Sequence, residues 1–178
     1  LGYRGAGTVE FLLDGDAYYF MEVNARLQVE HPVSELVSGI DLVHAQIDIA
    51  QGKTLSYSQA DVRCKGYSLE CRINGLSAGE IKNFVMPCGP HVRVDTYLQS
   101  GSVLSPYYDS LIAKIIVYTP TREMGLSVML RALDEVVIEG VKTNIEEQKL
   151  LIRSRPFSSG RFSTDLYTKV ITQEKSHG

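Results

Sequence analysis

The stretch 20-FMEVNARLQVEHP-32 sets Glu22, Asn24, Arg26, Gln28, Glu30 and His31 among residues that otherwise read as core. Just upstream, GTVEFLLDGDAYYFMEVN forms two aromatic and aliphatic runs around Asp14, Gly15 and Asp16. Asp-Gly turn chemistry predicts a hairpin there, and so an antiparallel pair. A period of two puts Phe20, Glu22 and Asn24 on one face of the second strand and Met21 and Val23 on the other. Glu10, in the first strand, is placed to share the Glu22 face. Arg26, Gln28 and Glu30 continue the same alternation.

Two carboxylates and an amide aimed into one space are costly unless something positive lies between them. Mg²⁺ bridging nucleotide phosphates fills that role with hard oxygen ligands. Glu10, Glu22 and Asn24 therefore fit a magnesium-phosphate clamp, and Arg26, Gln28 and Glu30 beside them suit a small anion and its base. The plainer alternatives are a strand face exposed to water and a surface ion pair between Arg26 and Glu30. For His31, ahead of Pro32, capping or packing is favoured over ligation.

A chain of 178 residues with 44% hydrophobic content can bury a core, as one domain or a pair of small units. A net charge of −3 leaves no electrostatic footprint for nucleic acid or an anionic membrane, so an anionic ligand must be held by local groups. The three cysteines, Cys64, Cys71 and Cys88, are odd in number and lack a CxxC pair, which argues against a disulfide framework and a zinc site. They are expected to be reduced packing residues. No apolar run approaches the roughly 20 residues of a membrane span. Leu1 opens directly into a strand entry, so the start is expected to be truncated; reduced cysteines and the lack of a charged or apolar leader favour the cytoplasm, with an organelle possible if a transit peptide lies upstream.

Downstream, Asp41 is a candidate N-cap for a helix through LVHAQIDIAQG, closed by Gly52. The first unit is expected to end there, with a polar linker over 53–64 and a second unit over 65–174. YSLECRIN and HVRVDT alternate as strands, and DSLIAKIIVY is apolar enough for a buried central strand. Met124, Val128, Leu130, Leu133 and Val137 then predict a helix capped by Thr121, with Glu123 in its first turn. TNIEEQKLLIRS and STDLYTKVIT predict two more, the second capped by Ser163 or Thr164. The fold class is α+β.

GTVEF, FMEVNARLQVEHPVSE, ECRIN, VRVDT, SPYYDSLIAKII and EGVKTN together resemble biotin carboxylase, in family order and nearly end to end. The resemblance implies the C-terminal portion of an ATP-grasp fold followed by a biotin carboxylase C-terminal domain. It implies ATP-dependent chemistry in which bicarbonate attacks the γ-phosphate and N1′ of biotin is then carboxylated. Cofactors and substrates would be ATP, Mg²⁺ or Mn²⁺, bicarbonate, and biotin on a carrier domain. Glu10, Glu22 and Asn24 match the metal ligands, and Leu12 matches a position lining the adenine pocket. Arg26, Gln28 and the backbone of Val29 match the bicarbonate contacts, and Glu30 matches the general base. A base must be close and charged, and Arg26 beside it favours the charged form. Arg93 in VRVDT matches the arginine that stabilises the biotin enolate, since a guanidinium stays protonated and offers a planar fork to an oxyanion. Its plain alternative is pairing with Asp95 or Glu70. Pro106–Ser110 is expected to buttress the site, with its tyrosines packed. Partners implied are a biotinylated carrier, a carboxyltransferase component and a second copy in a homodimer, for which Arg122 matches a contact arginine.

Two departures from the family pattern stand out. Its N-terminal domain, glycine-rich lid and phosphate-holding lysines have no counterpart here, so weak nucleotide binding and no useful turnover are expected of this chain alone. Cys88 also joins Gly89 directly, where the family carries a further hairpin of roughly a dozen residues. An omitted loop is favoured over a true deletion, because losing a hairpin beside Arg93 would disturb the strand that carries it. Rival readings are another ATP-grasp ligase, which need not have RLQVEHP or VRVDT, and a non-catalytic dimerisation remnant.

Overall fold

Residues 2–175 are described by the structure, a computed structural model, and they divide into two units, Leu1–Lys65 and Gly66–Gly178. The first opens with the expected hairpin, β1 (Thr8–Asp14) against β2 (Ala17–Asn24), and Glu10 pairs directly with Glu22. A bulge moves the register from Glu10↔Glu22 to Phe11↔Phe20, leaving Met21 as the extra residue. The strict alternation expected from Phe20 through Asn24 therefore breaks at Met21.

The strand ends at Asn24, and Arg26, Gln28 and Glu30 do not extend it. Residues 25–30 form an irregular turn that closes on α1 (His31–Ser38), an element the alternation hid. Pro32 explains it: a proline in the first helical turn costs no hydrogen bond and presets φ, and here it is also buried. His31 and Val33 donate backbone N–H groups to the Gln28 and Glu30 carbonyls, 3.2 and 3.1 Å. α2 (Leu42–Ala50) starts as expected, Asp41 accepting from the His44 N–H at 2.7 Å, and Gly52 lies just past its end at φ +82°. The expected linker holds a 3₁₀ turn at Gln59–Asp61, where Asp61 accepts from the Ser58 N–H and hydroxyl.

The second unit runs β3 (Tyr67–Asn74), β4 (Gly79–Glu80), β5 (Asn83–Val85), β6 (Val92–Thr96), β7 (Val103–Leu104), β8 (Leu111–Thr119), α3 (Arg122–Glu135), β9 (Val137–Glu139), α4 (Ile145–Arg153), α5 (Arg155–Ser159) and α6 (Leu166–Lys175). β8 is the central strand of an antiparallel sheet ordered β3-β8-β6, as its apolar run predicts, and its Ile115, Ile116 and Val117 are fully buried. Two short antiparallel pairs, β4-β7 and β5-β9, were not legible as strands.

Thr121 caps α3 and Glu123 lies in its first turn. Leu126, Met129, Ala132 and Leu133 are buried on its core face, Val128 and Leu130 pack against that core partly buried as the pattern predicts, and Met124 is exposed. Val137 belongs to β9 instead of the helix, because the β-branched run Val136–Ile138 favours extended backbone. The Ser163 hydroxyl donates to Asp165 at 2.6 Å ahead of α6. Tyr107 and Tyr108 are 89% and 84% exposed, so they do not pack as expected. Nor do Cys64 and Cys88, which are exposed; only Cys71 is buried, and burial pushes its thiol up to about 12.

Across the Cys88–Gly89 join the chain makes a tight turn with Gly89 at φ +102° and His91 at φ +67°. β6 still pairs with β8 over its whole length, from Val92↔Val117 to Thr96↔Ala113. A short connection is therefore compatible with an intact strand at Arg93, and the reason for favouring an omitted loop falls away.

Candidate functional site

The hairpin register builds the site. Because Glu10 and Glu22 sit opposite each other, their carboxylates meet on one face, and Asn24, two residues along, reaches both. Its Nδ2 donates to Glu10 Oε1 at 2.8 Å and to Glu22 Oε1 at 2.9 Å. The amide thus occupies the space between two anions, where the sequence called for positive charge. Two carboxylates and an amide are hard donors of the kind Mg²⁺ takes alongside phosphates, and rotating the amide by half a turn would offer its oxygen. The residues fit a divalent cation.

The turn after β2 adds the second group. Gln28 Nε2 donates to Glu10 Oε1 at 3.2 Å, and Arg26 Nη1 donates to Gln28 Oε1 and to the Leu27 carbonyl, each at 3.2 Å. Gln28 therefore links the carboxylate pair to the guanidinium, although it lies outside the strand. A cavity of about 480 Å³ opens between Gly5–Thr8 and the side of the turn that carries Arg26, Gln28 and Glu30. Its glycine-rich wall was read only as the entry to a strand; the three glycines at 2, 5 and 7 were the available signal. Glu30 is the residue that precedes α1, and Leu12 is half-exposed on β1, opposite Tyr19.

Arg93 belongs to the second unit. On β6 its Nε and Nη2 donate to the two oxygens of Asp95 at 2.8 and 3.0 Å, the pairing that the sequence offered as the plain alternative. Residues two apart on a strand share a face, and Lys114 of β8 sits opposite Asp95 with Nζ at 3.3 Å. Burial pushes the Asp95 carboxyl up, but the bonds from Arg93 and Lys114 outweigh it and hold it below the ordinary carboxylate value. Arg122 is anchored inside its own unit: its guanidinium lies 5.2 Å from the ring centres of both Tyr67 and Phe157 and donates to the Tyr67 hydroxyl and the Phe157 carbonyl. A larger cavity, about 600 Å³, lies among α4, α5 and α6 but contains none of the predicted site residues. Size alone does not locate the chemistry here.

The chain is similar to known proteins along nearly its whole length. Residues 72–169 match the biotin carboxylase C-terminal domain, and residues 1–58 match the ATP-binding domain of the carbamoyl-phosphate synthase L chain. The chain is 45% identical to the biotin carboxylase of Pseudomonas aeruginosa over 182 residues, covering 98% of this chain and 40% of that one. It is 48% identical to biotin carboxylase 1 of Bacillus subtilis, covering 92% of this chain and 39% of that protein. The biotin carboxylase domain dimer of the Hydrogenobacter thermophilus 2-oxoglutarate carboxylase, solved with MgADP, ADP and bicarbonate, superposes with a TM-score of 0.91 at 43% identity, over 94% of this chain and 39% of that one. The chain spans about two fifths of the length of the curated relatives it matches. Matches that cover both units, at this identity and with this agreement in fold, place the chain in the biotin carboxylase family.

Proposed function

We propose that this chain is the C-terminal part of a biotin carboxylase, an ATP-dependent ligase that uses bicarbonate to carboxylate N1′ of biotin on a carrier protein. The observation that carries the reading is the Asn24 amide bridging Glu10 and Glu22, joined through Gln28 to Arg26. In this reading residues 1–52 close an ATP-grasp domain, 53–64 link, and 65–174 form the biotin carboxylase C-terminal domain.

Glu10, Glu22 and Asn24 would hold Mg²⁺ or Mn²⁺, which neutralises phosphate charge on ATP when bound, and Leu12 would line the adenine pocket. Arg26, Gln28 and the Val29 backbone hold bicarbonate, and Glu30 takes its proton as the general base. Arg93, with its fork oriented by Asp95, stabilises the negative oxygen of the biotin enolate. The enzyme works as a homodimer in the cytoplasm, or in an organelle if a transit peptide lies upstream. It is served by a biotinylated carrier and a carboxyltransferase component that sets the final acceptor.

Biotin- and bicarbonate-dependent ATP cleavage by this chain, and by the chain with everything its gene encodes on either side, tests the proposal. Turnover by the longer form alone is the expected result. ATP cleavage that ignores biotin would assign the chemistry to another ATP-grasp ligase and remove the role of Arg93. In the active form, Glu30→Gln is expected to lower turnover by about 100-fold or more with the fold intact; unchanged turnover would remove Glu30 as the base, whereas a longer form with no turnover at all would leave a non-catalytic remnant.

A further inference from the structure

Gln28 is the junction of the site, and its backbone is held as deliberately as its side chain. Its carbonyl accepts from the His31 backbone N–H at 3.2 Å and from the His31 ring at Nδ1, 2.9 Å. A carbonyl oxygen can only accept, so Nδ1 carries the proton and Nε2 is turned to Glu35, whose Oε2 lies 3.9 Å away. The other Glu35 oxygen accepts from the Leu42 N–H at 2.8 Å, which holds Glu35 at the start of α2. Both side chains are largely covered, 15% and 13% exposed. A histidine needed only to begin α1 would serve the orphan N–H groups of the first turn. His31 instead reaches backward to a carbonyl that a backbone N–H already satisfies, and the second bond fixes the plane of that peptide.

We infer that His31 is a positioning residue for the bicarbonate-binding turn: it sets the orientation in which Gln28, Val29 and Glu30 face the anion. The inference rests on the biotin carboxylase reading of the same site. Partners that orient a binding group commonly matter nearly as much as the group itself, and their loss costs affinity without removing the group.

The test uses the full gene product with His31→Ala and His31→Asn. His31→Ala is expected to raise the KM for bicarbonate about tenfold while the KM for MgATP stays within about twofold. Asparagine places an amide donor near the Nδ1 position, so His31→Asn is expected to recover most of the loss. An unchanged bicarbonate KM in an active His31→Ala enzyme overturns the role of His31 alone. So does a parallel rise in both KM values that His31→Asn does not recover, which would mark a purely structural residue. If His31→Ala does not fold, His31→Asn against His31→Gln decides, because glutamine places its amide near Nε2; equal bicarbonate KM values overturn the inference. A parent enzyme without bicarbonate-dependent ATP cleavage overturns the functional reading, and the role of His31 with it.

Discussion

The two units of this chain bury their side chains very differently. In the second, β3 and β8 and the core face of α3 contribute Ile73, Ile115, Val117, Met129 and Leu133 to one buried cluster. In the first, Pro32 is the only buried residue among those described, while Val9, Leu13, Tyr18, Phe20 and Val23 stand more than half exposed on the hairpin. A two-stranded hairpin is marginal in water, and an apolar face of this kind normally meets another surface. The second unit holds the buried core, whereas the first carries the Glu10, Glu22, Asn24 and Gln28 cluster on a sparsely buried hairpin. A close register, the bulge at Met21 and the α1 turn position that cluster without a core beneath it.

Substitutions inside the second unit should therefore dominate. Ile115→Ala empties a fully buried site at the centre of β8 and is expected to cost about 2–5 kcal/mol, read as a fall in the urea midpoint. Gly140→Ala should follow. At φ +99° its new Cβ would run into the Glu80 carbonyl oxygen, and a loss of about 2 kcal/mol is expected. If either variant kept the parental midpoint, the stability of the chain would have to reside in the first unit.

What the sequence disclosed follows the same division. The hairpin, the Asp41 cap, the central β8 and the Glu10, Glu22 and Asn24 cluster were legible because each rests on local signals: turn chemistry, a cap, an unbroken apolar run, a period of two. Gln28 and Glu30 were assigned to the site on the wrong backbone. The alternation looked continuous, and only the position of Pro32 announced a turn and a helix. On α3 the pattern found Val128, Leu130 and Leu133 but not Gly125 and Ala132, because small side chains carry little weight in an apolar pattern. The bonds from His31 to Gln28 and from Glu35 to Leu42 depend on how the 25–30 turn closes, which no periodicity encodes.

A smaller effect tests the charged constellation around Arg93 in the second unit. Asp95 is held below its ordinary value of 3.8 by Arg93 and Lys114, so its ionised form is favoured in the folded state. Its contribution is complete above that ordinary value and is lost as pH falls through the lower folded one. Asp95→Asn is expected to cost about 0.5–1 kcal/mol at pH 7, the range of a partly exposed pair, and the gap from the parent should close at acid pH. A gap that stays constant with pH would show that asparagine is penalised for its packing rather than for its charge.

The smallest effect belongs to the hairpin and decides what its bare face means. Leu13 is 73% exposed on β1, opposite Tyr18, so Leu13→Ser removes little buried area from this chain. A change within about 0.5 kcal/mol of the parental midpoint is expected, as for a surface site. A larger loss would mean that the hairpin closes on its own apolar residues, through contacts such as the edge-on Phe11–Tyr18 ring pair at 5.6 Å. Repeating the substitution in the full gene product separates the two ways of covering such a face. If further strands lie on the hairpin there, the same serine replaces a buried leucine and the cost rises to about 2 kcal/mol or more. If the midpoint again barely moves, the face stays open in the longer protein, and the contrast between the units is a property of the fold.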